Sequence, residues 1–218
     1  MRHAPGSARH AHAVTHTETR TRERRQRLAI EAARLISEGG IRDYHLAKRK
    51  AADRLGIHDD ASLPRNSEIH EALRDYQRLF LAQSHPQLLR ERREAAARAM
   101  TFFAEFEPRL VGAVLEGSAD AHSAVCLHLY ADDAERVPVF LAEHRIPAET
   151  SSRRIRLDRD RCLDAPVWLF AADDLPFDIT VLPRDALRQP PLDRIDEKPM
   201  HRASLAALQE LLAEPEEW

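Results

Sequence analysis

The chain has 218 residues, 43% hydrophobic and 32% charged, with a net charge of −3, a balance that suits a folded protein long enough to bury a core. No apolar run approaches the roughly 20 residues that span a bilayer, and the N-terminus carries Arg and His without the apolar stretch of a secretory signal. Cys126 and Cys162 lack any CxxC spacing, so both thiols are expected free, in a cytoplasmic setting.

The charge is divided unevenly. Residues 1–104 hold 20 Lys and Arg against 13 Asp and Glu, and residues 105–218 hold 13 against 23. This reads as a basic helical part followed by an acidic part of strands and helices. Gripping nucleic acid rests on neutralising phosphates, so nucleic acid is not an expected partner of the acidic half.

Residues 1–20 read as a disordered polar tail, in which His3, His10, His12 and His16 are incidental. A helix is expected from about Thr21 to Glu38, with Leu28, Ala32, Leu35 and Ile36 on one face, ended by Gly39-Gly40. Asp43 caps a second helix to Leu55, closed by Gly56. The stretch Arg27–Ile57 resembles the start of TetR-type repressors: an Ala-rich helix, a Glu-Gly pair, then a short helix ending in Gly-Ile. That resemblance implies a DNA-binding transcriptional regulator acting through the basic helices. The recognition helix should follow at once. Instead comes the acidic linker His58–Pro64, which favours plain amphipathic packing.

Asn66 or Ser67 caps a third helix to about Ser84, with Ile69, Leu73, Tyr76, Phe80 and Leu81 inward. Pro86 opens a fourth, to about Glu105, with Arg90, Arg92 and Arg93 outward. Pro108 stops it. Leu110–Leu115 then reads as a buried strand and Gly117-Ser118 as a turn. Val125–Tyr130 is a strand with Val125, Leu127 and Leu129 on one face and Cys126, His128 and Tyr130 on the other.

After Asp132-Asp133 a helix runs from about Ala134 to His144. Arg153–Leu157 is an alternating strand within a basic strip that includes Arg159 and Arg161. It reads as a charge-protected edge or an anion site. Val167–Ala171 and Phe177–Leu182 are strands joined through an Asp173-Asp174 turn. A proline-rich stretch leads to a last helix, Met200–Ala213.

The run Leu115–Ser118, LEGS, followed by a short link and a strand, resembles the core of the DNA polymerase beta-like nucleotidyltransferase superfamily. In that pattern Gly-Ser holds the nucleotide's phosphates. Two Asp on the next strand and a third carboxylate on a later one hold two magnesium ions. Gly117 and Ser118 match the nucleotide-binding turn, and Asp178, in the FDITVLP stretch Phe177–Pro183, matches the third, catalytic carboxylate. The other two positions are Ala124 and Cys126. Alanine offers magnesium no ligand, and a thiolate is too soft for it. In-line transfer needs both ions, so activity requires Asp120, His128 or Asp132 to substitute.

The expectation is therefore an α+β protein: a tail to residue 20, a helical region over 21–106, a nucleotidyltransferase-like domain of mixed sheet and flanking helices over 107–190, and a C-terminal helix and acidic tail over 191–218. The resemblance implies an inactive, nucleotide-binding or regulatory module whose partner is a nucleotide or a protein. No resident cofactor or metal is expected, magnesium entering only if the site proves active. The alternative is an active nucleotidyltransferase with relocated carboxylates.

Overall fold

A computed structural model describes residues 7–41, 43–80, 85–158, 160–193 and 198–214, with side chains in the first helix from Thr19 onward. The protein is α+β, with seven α-helices and one five-stranded mixed sheet among the described residues. Among those residues no helix is long and apolar enough to cross a membrane. The chain divides into two compact units, Met1–Leu79 and Phe80–Trp218.

The first unit is helical: α1 (Ser7–Gly39), α2 (Tyr44–Leu55) and α3 (Asn66–Phe80). The Asp43 side chain accepts the amides of His45 and Leu46 at 2.7 and 3.2 Å, which satisfies donors that have no partner within the helix. Small residues let the helices close on one another: Ala32, Ala33, Ala47 and Ala51 are fully buried beside Leu28 and Ile69. Two expectations shift. The helix starts at Ser7 instead of Thr21, because once the later turns are formed, extension through Ala8, Ala11 and Ala13 adds one bond per residue fixed. The buried stripe of α3 is Ile69, Leu73 and Gln77, at four-residue steps, so Phe80 falls off it and is 68% exposed. Leu81, the side chains of His10, His12 and His16, and His3 itself lie outside the described residues.

The second unit begins with α4 (His85–Phe102), followed by β1 (Arg109–Val111), α5 (Ala113–Glu116), β2 (Val125–Tyr130), α6 (Arg136–Glu143), β3 (Glu149–Arg156), β4 (Cys162–Ala172), β5 (Leu175–Leu182) and α7 (Leu205–Ala213). The strand order is β1-β2-β5-β4-β3. Only β2 and β5 run parallel; the other neighbours are antiparallel. One face of the sheet, bearing Leu127, Leu129, Ile179 and Val181, packs on α4, α5, α6 and α7. A smaller cluster of Tyr130, Ile155, Ala165 and Leu182 lies on the far face beneath Ala186.

The expected strand Leu110–Leu115 is cut at Val111. Gly112 takes φ 70° and ψ −155°, a conformation essentially reserved for glycine, and Ala113–Glu116 coils into a helical turn that buries Val114 completely. β2 matches its expected bounds and its alternation. α4, expected with the first helices, belongs with the sheet: Leu89, Ala96, Met100 and Phe103 are part of the sheet's core.

Candidate functional site

Two parts of the second unit were singled out by sequence. The first is Gly117-Ser118. Gly117 has φ 77° and closes α5, its amide donating to the Ala113 carbonyl; the Ser118 amide donates to the same oxygen at 2.9 Å. Ser118 is buried. A Cβ at Gly117 would lie 3.8 Å from both Leu89 and Arg93 of α4, which puts this turn against α4 on the helix-covered face. It is the C-terminal end of a helical turn, so both amides are occupied by the turn itself.

The turn and the link after it are held by two arginines of α4. Arg92 donates to the carbonyls of Ala121 and Ser123 at 2.8 and 3.1 Å, and Arg93 donates to Val114 at 3.3 Å. Both were expected to face outward and are buried, at 5% and 7% exposure. The carbonyls explain the reversal, since a buried guanidinium needs acceptors for its donors. Asp120 accepts the His122 amide at 2.9 Å and the Ser123 hydroxyl at 2.8 Å through Oδ1, so it is part of the same loop structure. Asp132 is exposed at the end of β2.

The second part is Asp178, on the opposite face of the sheet. It aligns with Cys126 across the parallel β2–β5 pair, so the residues matching the second and third carboxylate positions are direct neighbours. Arg153 reaches Asp178 from β3, with Nη1 to Oδ1 at 3.1 Å and Nη2 to Oδ2 at 2.6 Å, and also meets the Thr180 hydroxyl at 3.3 Å. This fork-to-fork geometry uses both carboxylate oxygens. The hydrogen bond to Asp178 raises the Arg153 pKa against the opposing effect of burial. The basic strip thus separates by strand alternation: Arg153 turns to the far face, Arg154 and Arg156 turn to the other, and Arg161 pairs with Asp158 at 2.7 Å. Arg159 lies outside the described residues.

His128 and Thr180 are paired across the same strands and buried at 3% and 1% exposure. Burial, then Arg153 and Arg202, hold the His128 pKa down to about 4, with Asp178 opposing, so the imidazole is neutral near pH 7. Its Nδ1 has no hydrogen-bond partner among the described residues. Arg202 closes this end of the face, donating to the Tyr130 hydroxyl at 2.8 Å and to the carbonyls of Ala186 and Leu187.

The structure therefore brings together Cys126, His128, Arg153, Asp178 and Thr180, and sets Gly117-Ser118 on the other side of the sheet. A carboxylate doubly bonded to a guanidinium, beside a thiol, does not fit a pair of hard magnesium ions. Sequence reading missed the Arg153–Asp178 partnership. Its only signal was the odd–even alternation of Arg153 through Leu157, which places Arg153 and Ile155 on one face.

A separate cleft of about 210 Å³ opens between α4 and the β4–β5 hairpin, lined mainly by apolar side chains. No family model, no curated protein and no solved structure matches this chain.

Proposed function

We propose that the chain is a cytoplasmic, nucleotidyltransferase-like protein that lacks metal-dependent transfer and acts as a nucleotide-binding or regulatory module. The observation that carries this reading is the Arg153–Asp178 pair. The surviving carboxylate has both oxygens bonded to a guanidinium on the far face of the sheet, which competes with any metal ion for them. The strand arrangement supports the same reading, because it sets Cys126 beside Asp178 on parallel strands. With the Gly117 and Ser118 amides engaged in closing α5, the group that meets a phosphate in this reading is Arg153, through the donors of its five N–H groups beyond those given to Asp178 and Thr180. It is 34% exposed and planar, a shape suited to phosphate oxygens.

Calorimetric titration with ATP, GTP, CTP and UTP, each with and without magnesium, tests this. The expected result is binding of at least one nucleotide unaffected by magnesium, no product formed on incubation, and affinity lowered about tenfold by Arg153→Ala, in keeping with loss of a charge-assisted contact. Magnesium-dependent turnover overturns the inactive reading. Absence of binding by all four overturns the nucleotide and leaves a protein as the partner.

A further inference from the structure

The cleft beside α4 lies on different residues from the Arg153 site and has its own chemistry. Its walls include Phe102, Phe103, Phe170 and Phe177. Phe170 and Phe177 stack with their centroids 5.2 Å apart and planes 5° apart, while Phe102 meets Phe103 edge-on at 4.9 Å. Phe102 remains 39% exposed, which leaves aromatic surface open to a ligand. The volume, about 210 Å³, exceeds the roughly 150 Å³ apolar cavity that accommodates benzene.

Two charged side chains also line the cleft, Arg98 from α4 and Asp173 from the hairpin turn. They face each other at 3.6 Å, with 62% and 81% of their side chains exposed. That spacing is beyond a good hydrogen bond, and an exposed pair of this kind contributes little by itself. A ligand of one sign meets a like charge here. A ligand with a cation and an anion on one carbon satisfies both.

We infer that this cleft binds a free apolar α-amino acid of about the size of leucine or phenylalanine. The side chain enters among the phenylalanine rings. The α-carboxylate takes Arg98 and the α-ammonium takes Asp173. Arg98 stands on α4 and Asp173 on the two-residue hairpin turn, where it and Asp174 have φ 50° and 60°.

Calorimetry on the full chain with L-phenylalanine, 3-phenylpropionate, phenethylamine and glycine tests the assignment. Phenylalanine is expected to bind at least about fivefold more tightly than either single-charge analogue, with Arg98→Gln and Asp173→Asn each removing that preference. Glycine, which lacks the ring, should give no binding, and Ala99→Leu, which fills the wall, should abolish binding of phenylalanine. Equal affinity for phenylalanine and 3-phenylpropionate, no saturable binding of phenylalanine, or binding undiminished by Ala99→Leu overturns the inference. Circular dichroism confirms the fold of each variant; should Ala99→Leu unfold, the two exposed substitutions decide the outcome.

Discussion

His128 is a titratable group with almost no water around it, and its neutrality has a measurable consequence. Its pKa is held at about 4 in the folded protein against about 6.5 in an unfolded chain. The unfolded state therefore binds more protons between these values, and stability falls as pH drops through that window. From pH 7 to pH 5 the loss attributable to this one residue is about 2 kcal/mol. Urea unfolding at pH 7, 6 and 5 should show that decline, and His128→Gln should flatten it; a wild-type stability unchanged across this range refutes the assignment. Asp158, held at about 2 by Arg161 and by the amides of Asp160 and Arg161, titrates below the window and does not confuse the measurement. Arg153 is linked to this behaviour because its charge disfavours the imidazolium while its partner Asp178 partly offsets that effect.

At the scale of elements, the sharpest decision in the chain is made at Gly112. An added Cβ would come no nearer than 3.9 Å, to the Cβ of Cys126, which is ordinary contact. The difficulty for any other residue is the backbone, at φ 70° and ψ −155°. Gly112→Ala should cost about 2 kcal/mol in urea unfolding, and removing the neighbouring side chain with Cys126→Ala should not restore it; rescue by that second change would mean a steric clash instead of backbone strain.

The same position marks a limit of reading the sequence. Val125–Tyr130 announced itself because alternation along a strand is a property of that strand alone. Asp43 and Gly56 announced α2 because capping is local. The stretch Leu110–Leu115 did not, since a short apolar run suits a strand or a buried helical turn equally, and the choice is made by packing against α4. Arg92 and Arg93 were misread for a similar reason: their partners are carbonyls of the 114–123 stretch, which comes near α4 only after folding. At the candidate site the residues Asp178 and Ser118 were visible one by one. Their placement on opposite faces of the sheet was not, because it depends on how α5 turns away from β1.

For the molecule as a whole, the assignment of α4 has consequences for where the chain divides. Leu89, Ala96, Met100 and Phe103 supply part of the sheet's core, and the first unit has a separate core of its own. A fragment of residues 80–218 should unfold cooperatively in urea with the near-ultraviolet signal of a packed core. A fragment of residues 107–218, which omits α4, should lack both; cooperative unfolding of the shorter fragment would show that α4 is dispensable. The α+β architecture was legible from helix and strand periodicity, whereas the mixed character of the sheet was expected from the resemblance alone, because alternation along a strand does not say which way its neighbour runs. The division between Leu79 and Phe80 was not, because nothing in the Ala- and Arg-rich sequence of α4 distinguishes it from the helices before it.

The bridge between Leu110 and Ala203 is a small detail of the sheet, with paired amide and carbonyl bonds of 2.9 Å in each direction. It closes the outer side of β1, a strand of only three residues. At the opposite margin, β3 presents Glu149, Arg154 and Arg156 to solvent. A sheet becomes a template for fibres when a long, uncharged margin offers its amides and carbonyls to another chain. Here one margin is capped at Leu110 by the molecule's own backbone and the other carries charge, two of the devices that keep a sheet's margin from pairing with another chain.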